Sequence, residues 1–381
     1  MLSGDPDASS AVLVAGAATP RWTVTPDQDD EIVLATAIGP GGSIAFLADE
    51  ERGMKEGTVQ QTAGLAWVMN AGPPHADDLI TSTDGPLDPA QKRPPFRLGT
   101  PKFAVIAATG AGFLALAREL AGAANVFAAE LTADGRLAGA RYIPELSEEL
   151  IGANARLLPD GAGGAWLLYA HSRSLRAARV SSSGVVITPF RLASIDGESE
   201  DERMFDAAVR ADGQLSIAWI DDASLRFGLL AADGMFTSIP LAAPIHIREA
   251  PLLANANGEN AVVWLDRTSR SAHLAIWDER GECVLPPHKL GIECKRPRDL
   301  RIGALQSQFV LGWRCADNDM AHAAWLERAH VVPVMNVDAT GRYFDLGCSG
   351  IACAMWWQER PGDALPGPWL WQRSLRKNAA E

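Results

Sequence analysis

The sequence predicts an all-β fold: a repeated unit of four short antiparallel strands, carried around a closed ring. Three observations lead there. A glycine or serine is followed six residues later by an aromatic at the end of a strand-like apolar run, at Gly163 to Tyr169, Gly213 to Trp219, Gly258 to Trp264, Ser307 to Trp313 and Gly350 to Trp356. Successive aromatics lie 50, 45, 49 and 43 residues apart, the spacing that four strands and their turns require. A turn dipeptide (Ser183-Gly184, Asp233-Gly234 or Arg280-Gly281) falls 21 to 23 residues after the first glycine of its unit, and such pairs between apolar runs favour hairpins.

Extending the count gives seven units in a single domain over 1–381, spanning 31–99, 102–147, 152–194, 205–243, 250–290, 299–338 and 342–376. The first two lack the aromatic, but Gly42 opens a matching apolar run and Gly112 precedes the Asp134-Gly135 turn by the expected distance. In the fifth unit the four strands read as Pro251 to Ala254, Ala261 to Leu265, Ala272 to Trp277 and Cys283 to Leu285, with no sustained helical periodicity. The seventh ends after a third strand, Trp369 to Leu375. The apolar run at 11–18 is expected to fill the empty fourth place, which closes the ring and covers a sheet edge prone to aggregation.

These features resemble the β-propeller superfamily over nearly the whole chain, and the resemblance implies a seven-bladed propeller of four-stranded antiparallel blades. No functional family is matched. The Gly-His and Trp-Asp pair of WD40 blades is missing apart from Trp277-Asp278, as are the kelch double glycine and the sialidase Ser-x-Asp-x-Gly-x-x-Trp box. Fold likeness alone supplies no function.

Composition narrows the partners. With 381 residues, 47% of them hydrophobic, the chain can bury a large core. A formal charge of −13 argues against nucleic acid, since phosphate binding depends on clustered cations and Lys295-Arg296-Pro297-Arg298 is the one local cluster. The run at 11–18 is too short to cross a bilayer, and acids at Asp5 and Asp7 stand where a signal peptide needs positive charge. The five cysteines include no Cys-x-x-Cys pair and read as reduced core thiols. The expected location is the cytoplasm, with export lacking a cleaved signal left open.

Candidate chemistry gathers at the loops after the second strands, on the face that also carries the connections between units. Carboxylates there are Asp49, Glu119, Asp221, Asp222, Asp266, Asp317, Asp319 and Glu359, able to face a ligand or, as turn acids do, to cap local N–H groups. His171 with Arg173, and His246 with Arg248, supply the groups for an acid–base pair. The repeated aromatics read as core between blades, and His273 and His322, at equivalent positions on third strands, as packing residues. Two insertions stand out: a proline-stiffened stretch from Asn70 to Pro95, and an acidic one from Ile195 to Arg203 that reads as solvated. Nucleotide, nucleophile-elbow and zinc-protease motifs are absent, and no cofactor or metal set is expected. The function expected is a binding or scaffold module that presents loops to a protein, peptide or small ligand. The alternatives are a lyase or hydrolase acting on a glycan or small metabolite at the channel mouth, and a carbohydrate-binding propeller.

Overall fold

The computed structural model describes residues 13–15, 22–23, 31–38, 44–50, 63–69, 103–118, 126–133, 137–146, 155–196 except 182, 204–241, 245–247, 250–338 except 267, 268, 319 and 329, 344–348, 353–359 and 369–377. Apart from one 3-10 turn at Pro144–Leu146, every regular element among them is a strand. The first strands are β1 (Leu13–Ala15), β2 (Trp22–Thr23) and a three-stranded sheet of β3 (Glu31–Ile38), β4 (Ile44–Glu50) and β5 (Ala63–Met69). Next comes a four-stranded sheet of β6 (Phe103–Ala108), β7 (Gly112–Arg118), β8 (Val126–Thr132) and β9 (Leu137–Tyr142). Four-stranded sheets follow in β10 (Arg156–Pro159), β11 (Ala165–His171), β12 (Ser174–Ser181) and β13 (Gly184–Ser194), then in β14 (Phe205–Val209), β15 (Leu215–Asp221), β16 (Ser224–Leu230) and β17 (Phe236–Ile239).

The expected fifth unit appears as β18 (Leu252–Ala256), β19 (Glu259–Asp266), β20 (Ser271–Asp278) and β21 (Cys283–Lys289). The next sheet holds β22 (Pro297–Leu305), β23 (Gln308–Cys315), β24 (Met320–Glu327) and β25 (His330–Asp338). The last holds β26 (Phe344–Cys348), β27 (Cys353–Glu359) and β28 (Trp369–Lys377). Apart from β1 and β2, which join the last sheet beside β28, the strands of each sheet are antiparallel and adjacent in chain order, the hairpin pattern. On the free side of β28, β1 pairs in the register Leu13↔Lys377 to Ala15↔Leu375, and β2 pairs at Trp22↔Leu370.

This is an all-β propeller, and its core lies between sheets. One cluster joins Leu114, Leu116 and Ile143 to Leu157, Leu167 and Tyr169 across two neighbouring sheets. Others join Trp166 and Leu175 to Phe205 and Trp219, Phe227 to Trp264 and Trp277, Leu274 to Trp313, and Trp325 to Phe344. A second strand buried on both faces carries a continuous apolar run, as Ala165–Ala170 does, and this is why its sequence does not alternate. First strands contact one another in the order β3, β6, β10, β14, β18, β22, β26, and β26 touches β3.

Ion pairs stitch these inner strands together. Asp206 on β14 accepts Arg156 Nε from β10 at 2.8 Å through Oδ1, and the Leu253 N–H from β18 at 3.0 Å through Oδ2, so one carboxylate ties three successive strands. Arg301 Nε on β22 donates to Asp345 Oδ1 on β26 at 2.7 Å. On the opposite rim the turn glycines seal neighbouring sheets. Gly281, at φ +83°, sits where a Cβ would come within 2.7 Å of Ile239 Cγ2 and of the Pro240 carbonyl in the preceding sheet.

The exposed fourth strands carry proline at their irregularities. Pro189 in β13, Pro286 and Pro287 in β21 and Pro333 in β25 fall at or beside register shifts against the third strand. A bulge that removes an N–H from a free edge discourages pairing with another chain.

The cysteines depart from the sequence expectation of reduced thiols: Cys294 bonds to Cys315 and Cys348 to Cys353, leaving Cys283 free and exposed. The expectation failed because it looked for closely spaced pairs. The fold instead brings a connection beside the end of a strand 21 residues later, and closes one hairpin loop of separation five. The insertion 70–95 lies outside the described residues.

Candidate functional site: the connection face

On the face that carries the connections between sheets, two of the loops joining second to third strands, at 172–173 and 222–223, are tight hairpins. Ser172 and Arg173 turn through φ 48° and 57°, and Asp222 and Ala223 through φ 52° each, left-handed values that fit two-residue turns of the mirror-image type. Each hairpin is gripped by the neighbouring connection. The Ile195 N–H donates to the Arg173 carbonyl at 3.1 Å, and the Asp196 N–H to the Ile220 carbonyl at 2.8 Å. Asp196 then turns its carboxylate back on the next hairpin, accepting the N–H groups of Asp222 at 2.9 Å and Ala223 at 2.6 Å. One sheet further on, Leu225 donates to the Ile245 carbonyl and the Ile247 N–H to the Ala223 carbonyl, enclosing His246 between buried isoleucines.

The two candidate histidines stand on different hairpins. His171 closes β11 and pairs in register with Ser174, while His246 is exposed and its Nδ1 lies 3.3 Å from Ser224 Oγ. Arg173 projects from the His171 turn and is exposed, and Arg248 lies outside the described residues.

The carboxylates divide in the same way. Asp221 ends β15 and is half-buried, and Asp222 occupies the turn. Asp266 ends β19 and caps its own loop, accepting the N–H of Ser269 at 3.3 Å and its hydroxyl at 2.7 Å. Asp317 receives Arg296 twice, Nε on Oδ1 at 2.8 Å and the backbone N–H on Oδ2 at 3.0 Å. The Arg296 side-chain bond leads the causes that hold Asp317 below the ordinary carboxylate range; burial opposes it, and the cation's field and the backbone N–H groups of Arg296 and Lys295 add to it. Asp49 is the penultimate residue of β4 and Glu359 the last of β27, whereas Glu119 and Asp319 lie outside the described residues.

The repeat aromatics Tyr169, Trp219, Trp264 and Trp313 are buried, as core residues should be. Arg176, Arg226, His273 and His322 face them in register across the hairpin; the sequence marks His273 and His322 as packing residues, but not this pairing, nor the two arginines. His273 stacks on Trp264 at 20° and His322 on Trp313 at 9°, so these imidazoles cover indoles. His273 Nε2 also lies 2.9 Å from Ser271 Oγ. Burial is the main cause holding this imidazole below its usual range; Asp266 opposes it, and Lys289 and His288 add to it. The signal was present in the sequence as a flat polar residue seven or nine positions after each aromatic. Asp196 and Asp206 carried no comparable signal, because their partners lie in other sheets.

No family model matches the chain, and no curated protein matches it. Among solved structures, the WD40 domain from Toxoplasma gondii coronin is similar at 9% identity, covering 97% of this chain and 87% of that one, with a TM-score of 0.52. The Dos1 propeller is similar at 10% identity over 97% and 96% of the two chains, with a TM-score of 0.49. At such identity the coronin likeness speaks for the fold alone: the chain is a β-propeller, and no narrower family is assigned to it.

Proposed function

We propose that this propeller has seven blades, that β1 serves as the outermost strand of the last one, and that the ring acts as a binding or scaffold module through its connection face. The blade number draws support from the succession of sheets and from the inner-strand contacts that return from β26 to β3. The β1–β28 register supports the closure.

One observation carries the functional reading. Two hairpins of this face are pre-set: Ile195 holds the 172–173 turn, and Asp196 and Ile247 hold the 222–223 turn from either side. A loop already held in one shape loses little conformational entropy when a partner docks, which favours affinity at a modest interface. Exposed Arg173 and Asp222 stand on two such turns and offer opposite charges to a protein or peptide.

The test is a pull-down from the source organism with the full chain as bait, repeated with the double variant Arg173→Asn, Asp222→Asn; asparagine tolerates the left-handed turn conformation. A stoichiometric protein partner, lost in the variant, supports the reading. Copurification of a small molecule with no stoichiometric protein refutes it.

A further inference from the structure

We propose that Cys294, Cys315 and Asp317 form a redox-gated site for a thiophilic divalent cation such as Zn2+, shut while the two sulfurs are bonded to each other and formed once a dithiol reductant opens that bond. The three ligand atoms already lie within 4.8 Å of one another, and Cys315 Sγ is 3.8 Å from Asp317 Oδ2. A tetrahedral zinc with Zn–S of about 2.3 Å and Zn–O of about 2.0 Å separates two sulfurs by roughly 3.8 Å and a sulfur from an oxygen by roughly 3.5 Å. The sulfur–oxygen spacing is close to this, and only the sulfurs have to part. Half-exposed Cys294, on a connection, can supply the movement; buried Cys315, the last residue of β23, stays in place.

What keeps the cluster together does not depend on the disulfide. The Ala316 N–H donates to the Arg296 carbonyl at 3.0 Å, and Arg296 is bound to Asp317 through both its backbone N–H and its guanidinium. The Cys294 N–H donates to the Ile292 carbonyl at 2.8 Å. Reduction therefore leaves two thiols and a carboxylate on a connection still tied to the strand end. The ligand oxygen is Oδ2, which faces the Cys315 sulfur and also accepts the Arg296 backbone N–H, while Oδ1 keeps its bond to the Arg296 guanidinium as a supporting contact.

The chemistry balances. The protein disulfide takes up two electrons and two protons to give two thiols, and the reductant's two thiols become a disulfide. The cation then displaces both thiol protons. Two thiolates and a carboxylate against a divalent ion leave one net negative charge, beside the cations of Lys295 and Arg296. The fourth position opens to solvent alongside half-exposed Cys294 and takes water.

The experiment uses the full chain with Cys283, Cys348 and Cys353 replaced by Ser, so that the only sulfur pair is the one in question. The protein is reduced with a dithiol, freed of it by desalting without oxygen, and titrated with Co2+ while the thiolate-to-cobalt charge-transfer absorption is followed; Zn2+ is then added in competition. Expected are one equivalent of cobalt with that absorption in the reduced form, none in the oxidised form, and displacement by zinc. Affinity should fall at least tenfold in Asp317→Asn, and the absorption should vanish in Cys294→Ser. Absence of the band after reduction, its persistence in Cys294→Ser, or equal binding by oxidised protein overturns the proposal. Because oxidised and reduced forms of one polypeptide are compared, misfolding of a ligand variant cannot produce the primary difference.

Discussion

Replacing Asp206 with alanine removes a clasp shared by three inner strands, and its cost can be worked from the geometry. Asp206 is 6% exposed, so whatever it leaves behind on its Oδ2 side is buried: the Leu253 N–H, now without this acceptor, loses about 1–3 kcal/mol. On the Oδ1 side Arg156 has 36% of its side chain exposed and turns to water, which limits that loss to about 1 kcal/mol. The expected destabilisation is about 3 kcal/mol. Arg156→Ala, which leaves the Leu253 bond intact, should cost less, and the double variant should show a coupling of about 1 kcal/mol. Urea unfolding followed by tryptophan fluorescence measures the total. Since repeat architectures can unfold in parts, hydrogen exchange at the Leu253 amide provides the local measure. Its exchange should accelerate about a hundredfold in Asp206→Ala, which corresponds to about 2.7 kcal/mol at about 1.36 kcal/mol per decade. A change below about 0.5 kcal/mol, within the range of ordinary surface substitutions, together with an unaltered Leu253 amide would refute the reasoning.

Two glycines with nearly the same φ provide a controlled comparison. Gly213→Ala, at φ +81° with open space around it, should cost about 1 kcal/mol in thermal or urea unfolding, whereas Gly281→Ala, at φ +83° against Ile239 and Pro240, should cost about 2–3 kcal/mol. Because burial holds the folded His273 imidazole below its unfolded value of 6.5, the stability it contributes is present above pH 6.5 and is lost as pH falls through the folded value. Asp266, Lys289 and His288 share its surroundings, so the wild-type minus His273→Phe difference in unfolding free energy, measured across that window, isolates it. By the loop-entropy relation, reduction of Cys294–Cys315, with separation 21, should cost about 3.3 kcal/mol, and of Cys348–Cys353, with separation five, about 2.1 kcal/mol. Thermal melts of Cys294→Ser and Cys348→Ser rank the two.

Asp160 illustrates why local signals were the readable ones. Burial pushes its carboxyl up, yet the N–H groups of Ala162 and Gly164 and the Arg179 side chain outweigh that and hold it below the ordinary range. Three of these four residues fall within five positions of one another, in the turn Asp160 to Gly164 between two strands, a pattern that turn chemistry makes visible in sequence. Asp196 does the same capping work for a turn 26 residues away, and nothing in its neighbourhood announced it. The acidic stretch at 195–203 accordingly read as solvated, although Asp196 at its start is bound to two backbone N–H groups.

What the sequence determined by itself was the periodic part: the all-β class, the aromatic near the end of the second strand in the last five units, and the glycine turns, because each recurs at a fixed interval along the chain. Tertiary structure alone decided which cysteines pair, which inner-strand carboxylate bridges three strands, and which turn Asp196 caps. Those choices depend on residues from different strands or different sheets meeting at the ring's seams, and the distance between such partners in space has no counterpart in their spacing along the chain.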